Sequence, residues 1–334
     1  MDHSIVETSP ARRRRVSELR YLRLVFAAVT AAWLLWLLVS ADFGSLMLSQ
    51  RLVSWQLGLF AGAWFLLPLG LMILWRKAIQ IGLGVSISWS EGLKTQSLAW
   101  GGRYLPGKAG FWLAKVSANL ASSRSVRSLT HIMLAEQILF VSAGVLVAIM
   151  LMPLNVNFIA NEVLNLESAS MDGFGTALDS VALRVALGLC VGVACLACIG
   201  FLKRHFGPAA GPVDWKRWFI LFSGHCFLHI GLGLALFPLI ALMAPASASL
   251  YGWAGIAAVL ALANVSGILA IFAPAGLGVR EIVIGTCLSV QIGLEPALQI
   301  AAFLRLTTFL SDMGFAFAGW LLATLLQLDG DEEV

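Results

Sequence analysis

Arg103, Lys108 and Arg280 each stand beside a proline–glycine break in an otherwise apolar chain. The two stretches read "GGRYLPGKAGF" (residues 101–111) and "PAGLGVRE" (residues 274–281). Cations beside freed backbone N–H groups are the chemistry of anion binding, because a helix start presents both donors and a positive dipole end. In the first stretch Pro106 disfavours helix at Leu105, Pro106-Gly107 forms a turn, and a helix restarts near Gly107 or Lys108. Lys108 and Lys115, seven residues apart, then share a face. In the second, Pro274 is expected to end the preceding span, and Gly276 and Gly278 can take positive φ. Arg280 follows, with Glu281 opening a short apolar helix. Freed backbone groups at membrane depth are tolerated only inside protein or beside a water-filled cavity. Both breaks are therefore expected to face one interior site, as in transporters built on broken helices.

Charges inside apolar spans need partners, since each costs about 2.5–3.5 kcal/mol at mid-bilayer on insertion scales. Glu136 has no local partner, and a cation from an irregular region is the expected one. Arg280 and Glu281 read either as a site or as an ion pair stapling two helices. Arg305 and Asp312 share a face and are expected to couple through helix neighbours. Lys115, Arg124 and Arg127 read mainly as snorkelling cations that bind headgroups at the interface. His225 and His229, at i and i+4, read as interhelical hydrogen-bonding groups, since no third ligand lies near them for a metal. Asn264 and Ser266 read as packing glue. The five cysteines all fall in apolar segments and read as small hydrophobes. No metal and no cofactor is expected.

The elements that must position these residues are membrane spans. Of 334 residues 59% are hydrophobic and 12% charged, about half the charge of an ordinary soluble domain. Several apolar runs reach the roughly 20 residues that cross a bilayer core. The expected fold is an all-α polytopic membrane protein of seven to eight transmembrane helices, with two irregular or re-entrant segments around an interior cavity. A basic tail (residues 1–20, with Arg12 to Arg15) precedes a transmembrane domain over residues 21–327 and an acidic tail at 328–334. Spans are expected near 21–40, 54–75, 129–152, 180–202, 217–243, 250–272 and 296–327, with the irregular segments near 81–127 and 273–305. A helix from Pro296 to Gln327 would measure about 48 Å, so its first turns are expected in a re-entrant limb or a strongly tilted helix. Basic residues sit almost wholly on one side of this layout, placing the N-terminus in the cytoplasm and the acidic end outside.

The two motifs, their separation and the span pattern resemble the lysylphosphatidylglycerol synthase transmembrane, or flippase-like, family. "PAGLGVRE" is similar to that family's Pro-Gly-Gly-x-Gly-x-Arg-Glu signature, with Ala275 where glycine is usual. The resemblance implies a helical bundle with re-entrant segments around a lipid-accessible cavity. It implies movement of an anionic phospholipid or a polyprenyl-phosphate-linked sugar between leaflets of a bacterial inner membrane. Arg103, Lys108 and Arg280 would then neutralise the lipid phosphate. Pro106, Gly107, Pro274, Gly276 and Gly278 would shape the backbone cradle, and Glu136, Glu281, Arg305 and Asp312 would hold the cations. The aminoacyltransferase half of such proteins is not expected in this chain. A glycosyltransferase or envelope-synthesis partner is compatible with the reading, and no nucleic-acid partner is expected. An integral membrane enzyme acting on a lipid phosphate, and a glycosyltransferase-assembly subunit, remain the alternatives.

Overall fold

Apolar runs with few internal breaks leave the backbone one way to satisfy its polar groups in lipid, the α-helix. The computed structural model describes residues 54–104, 109–120, 125–152, 181–206, 214–271 and 273–331. Among them are nine α-helices, one short 3-10 turn and no strand. The helices are α1 (Trp55–Leu83), α2 (Trp89–Gly102), α3 (Ala109–Leu120), α4 (Val126–Leu151) and α5 (Val181–Phe206). They continue with α6 (Trp215–Met243), α7 (Pro245–Leu269), α8 (Val279–Ile292) and α9 (Leu294–Asp331). Six of these, α1, α4, α5, α6, α7 and α9, are long and apolar enough to cross a membrane. The protein is an all-α, multi-pass membrane protein. The basic tail at 1–20, the span expected at 21–40 and the residues Pro106, Gly107, Lys108 and Arg124 lie outside the described residues.

Helix ends follow local chemistry. Ser54, Ser88, Ser125 and Asp214 cap α1, α2, α4 and α6 with side-chain oxygens on the third following N–H. At the other end of α4, Arg184 donates to the Met152 carbonyl at 2.8 Å. This side chain therefore closes a helix terminus. The irregular segment near 81–127 holds two short helices, α2 and α3, of 14 and 12 residues. At roughly 21 and 18 Å neither crosses a core of about 30 Å alone. The 14-residue α8 is equally short. It turns at Gly293 (φ 82°) directly into α9, a continuous helix of 38 residues. The first turns of that long helix thus belong to it and form no separate re-entrant limb, and Pro296 sits in its first turn, where a missing N–H is harmless.

Lipid tails are as apolar as leucine, so the bundle is held by close packing more than by the hydrophobic effect. In the bundle α1 packs against α6, α9, α2 and α4, α7 packs against α6, α4 and α8, and α2 lies against α9, α3 and α1. One cluster joins Phe60, Trp64 and Leu67 of α1 to Leu236, Ile256 and Leu304. A second joins Trp75 and Ile79 to Ile132, Met133, Ile199 and Trp218. Where α6 crosses α7, a methyl on Gly233 would lie 2.2 Å from the Ala257 Cβ, so the crossing depends on its absence. All five cysteines are free; Cys195 packs in the second cluster, while Cys190 and Cys198 are exposed on α5.

Candidate functional site

Span α7 ends at Leu269, five residues before Pro274, so Pro274 does not terminate it. Pro274 instead opens the 3-10 turn Pro274–Gly276. Within this break Ala275, Gly276 and Gly278 all have positive φ, at 49°, 73° and 83°. Glycine takes that conformation freely, and an L-residue pays roughly 1–2 kcal/mol for it. The Ala275 N–H donates to the Arg103 carbonyl at 3.0 Å. The backbone of the second break is thus hydrogen-bonded to the backbone of the first, and the two motifs meet as the sequence led us to expect.

Their meeting point borders a cavity of about 80 Å³, lined by Trp64, Gln96, Trp100, Arg103, Lys115, Glu136, Gln137, His225, Asn264, Gly267, Ala275 and Arg280 among others. A space near 10–15 Å³ already admits a water, so this one admits several waters or a small polar group. A chamber of about 20 Å³ lies on the other side of Arg280 and Asn264, bounded by Glu281, Arg305 and Thr308. The larger groove of about 400 Å³ between α4, α5 and α6 is lined by apolar side chains and glycines and carries no charged group.

Among the described residues, three carboxylates and four cations are placed around these spaces, and their pairing differs from the sequence reading. Asp312 on α9 accepts Trp64 Nε1–H at 2.9 Å and Trp100 Nε1–H at 2.7 Å on one oxygen. Its other oxygen accepts the Tyr104 hydroxyl and an ion-paired N–H of Arg103. Arg103 is the C-cap of α2 and precedes α3, which begins at Ala109. Lys115 and Glu136 form a second ion pair. Lys115 is 1% exposed, with its ammonium 4.3 Å from the Trp75 ring centre. It is therefore not a snorkelling residue, and the partner expected for Glu136 from an irregular segment is this lysine. Arg305 Nε lies 3.3 Å from Glu281 Oε1. Glu281 thus pairs with Arg305 on α9, and the Arg280–Glu281 staple does not form. Arg305 and Asp312 are linked through Tyr104, whose ring lies 5.5 Å from the Arg305 guanidinium and whose hydroxyl donates to Asp312.

Arg280 is left over. Among the described residues it has no ion-pair partner, and its buried Nε and Nη1 have no hydrogen-bond partner. It lines both the cavity and the smaller chamber, with the Trp64 ring 5.8 Å away. Gly267 on α7 makes room for it: a methyl there would lie 2.5 Å from Arg280 Nε. Gly276 backs on to the same glycine, and its added methyl would meet Gly267 Cα at 2.7 Å. Gly276→Ala is therefore expected to displace the Arg280 side chain and lower stability by about 1–2 kcal/mol or more, whereas Ala275→Gly is expected to be tolerated. Thermal unfolding of the two variants in detergent checks the contrast.

The Lys115–Glu136 pair yields a second expectation. Removing one member of a buried pair leaves the other charge without compensation, at about 3–5 kcal/mol. Lys115→Met is expected to show that loss in thermal unfolding, and Lys115→Met with Glu136→Leu to recover most of it. A harmless single substitution would return Lys115 to the role of interface anchor.

Sequence reasoning missed Trp64, Trp100 and Tyr104 as donors to Asp312, and Gly267 as the seat of Arg280. An indole in an apolar run carries no local sign that its N–H meets a carboxylate more than 200 residues away. His229 fits its reading, with Nε2 3.2 Å from the Phe140 carbonyl on α4. His225 does not: both of its ring nitrogens are buried without a hydrogen-bond partner among the described residues, as is the Oδ1 of the buried Asn264. In comparison with known proteins, no family model matches the chain and no curated protein matches it.

Proposed function

We propose that the protein is a lipid translocase, moving an anionic headgroup between the leaflets of a bacterial inner membrane with its N-terminus in the cytoplasm. The observation that carries this reading is Arg280: a guanidinium at a glycine-rich backbone break, facing a cavity, without a carboxylate among the described residues. A buried cation in that position requires an anion, and in a membrane the abundant one is a lipid phosphate. The headgroup occupies the cavity while the acyl chains stay outside the bundle, against faces such as the exposed Leu189, Val193 and Phe201 of α5. Arg103 and Lys115 add positive potential to the cavity wall, but their charges are met by Asp312 and Glu136. Arg280 therefore supplies the fixed charge. Energy for net movement comes from a gradient, a partner or consumption of the lipid on the far side. The resemblance of the two motifs to the flippase-like family supports the same reading.

The test is a leaflet-specific assay in proteoliposomes with a short-chain fluorescent anionic phospholipid. Wild-type protein is expected to move the probe to the protected leaflet, with protein-free vesicles as the baseline. Release of a chemically altered lipid would instead favour an enzyme. Identical rates with and without protein would overturn the proposal.

A further inference from the structure

The polar side chains that share the cavity wall with Arg280 have a composition that selects among headgroups. Gln96 on α2 is fully buried, and neither its Nε2 nor its Oε1 has a partner among the described residues. Asn264 on α7 is 2% exposed with Oδ1 unpartnered, and His225 on α6 is 1% exposed with both ring nitrogens unpartnered. All three line the same cavity as Arg280. Leaving buried amides and an imidazole unsatisfied costs about 1–3 kcal/mol each, so three at one cavity point to a polar occupant. These groups come from three separate helices, and no single helix terminus explains them.

Their chemistry is specific. Amides both donate and accept, and a neutral imidazole does the same through its two nitrogens. A hydroxyl group also does both, so polyol hydroxyls match this wall. An ammonium can only donate, so it would meet the amide oxygens but leave the Gln96 Nε2 and imidazole N–H donors without an acceptor, and its charge calls for a free carboxylate. Among the described residues Glu136 is the carboxylate that lines the cavity, and Lys115 holds it. Among the described residues, with Arg103 balanced by Asp312 and Lys115 by Glu136, Arg280 leaves the cavity with one uncompensated positive charge. A headgroup of one net negative charge neutralises it. A zwitterionic headgroup can meet Arg280 with its phosphate but brings an ammonium that keeps one positive charge in the cavity, and an aminoacylated one adds repulsion from a further cation.

Resting on the translocase reading above, we infer that the cavity is selective for a monoanionic phosphodiester bearing an uncharged hydroxyl-rich group, with Arg280 on the phosphate and Gln96, Asn264 and His225 on the hydroxyls. The lipid is either a glycerol-type phospholipid or a polyprenyl-phosphate hexose, which share this chemistry. The aminoacylated and ethanolamine headgroups are excluded. At about 80 Å³ the cavity suits one small polyol and not an oligosaccharide.

The experiment is native mass spectrometry of the full chain in detergent, with competing lipids of matched acyl chains. Phosphatidylglycerol is expected to be retained over phosphatidylethanolamine by at least about tenfold, the worth of roughly 1.4 kcal/mol. Asn264→Asp places a carboxylate on the wall and is expected to shift the ratio toward phosphatidylethanolamine. Gln96→Leu is expected to reduce the preference without abolishing retention, because Arg280 remains. A polyprenyl-phosphate hexose that displaces phosphatidylglycerol identifies the second source and supports the inference. Equal retention of phosphatidylglycerol and phosphatidylethanolamine by the wild type overturns the selectivity while the translocase reading stands. Retention of none of these lipids overturns both.

Discussion

Asp312→Ala is expected to be the most destabilising single change in the described interior, with a loss of about 3–5 kcal/mol or more. The carboxylate is 1% exposed and receives four donors, from Trp64, Trp100, Arg103 and Tyr104. Its removal strands the Arg103 guanidinium inside the bundle and leaves two indole N–H groups without acceptors. Those donors come from α1, from α2 and from the break that follows α2, while the carboxylate is on α9, so one side chain ties three helices together. Asp312→Asn is expected to be milder, since the amide oxygen still accepts from the indoles while the charge is lost. Thermal unfolding monitored by size-exclusion chromatography in detergent reads both. An Asp312→Ala protein as stable as wild type would mean that this network contributes little to the fold.

Arg280→Lys is expected to lower lipid translocation by at least about tenfold, with thermal stability close to wild type. The charge is retained, but the planar fork that can meet two phosphate oxygens is replaced by a single ammonium centre. Gly278→Val is expected to match that loss for a different reason. Gly278 has φ 83° and an added methyl there would touch nothing, so the damage comes from backbone conformation and not from a clash. A β-branched residue cannot hold that φ without strain. Both variants are expected to lose co-purifying anionic lipid. If Arg280→Lys keeps lipid and transport while Gly278→Val fails, the motif is a hinge and not a phosphate cradle.

The spans were legible in the sequence because apolar run length is itself the constraint in a bilayer. The described helices at Trp55–Leu83, Val126–Leu151, Trp215–Met243 and Leu294–Asp331 fall where hydropathy placed them, though α1 and α9 run longer. The two breaks were legible through proline and glycine, and the positive φ of Gly276 and Gly278 follows from the residue type. The partners were not legible. Lys115 reads as an interfacial cation until Glu136 is seen against it, and Glu281 reads as the partner of its neighbour Arg280 until Arg305 takes it. Adjacent helical residues point about 100° apart, so sequence neighbours are poor candidates for pairing, and spacing does not reveal contacts between helices. The same limit hid the surplus charge: among the four cations described around the cavity, Arg280 is identifiable as the one without an ion pair only once the other three have been assigned.

The most direct measurement is a structure of the protein in nanodiscs that contain anionic phospholipid. Density for a phosphate in the cavity, within hydrogen-bonding distance of the Arg280 guanidinium and with acyl chains leading out of the bundle, is the predicted result. An ordered cavity that contains water alone, with Arg280 held by a protein carboxylate and every lipid confined to the outer faces of the helices, would contradict it.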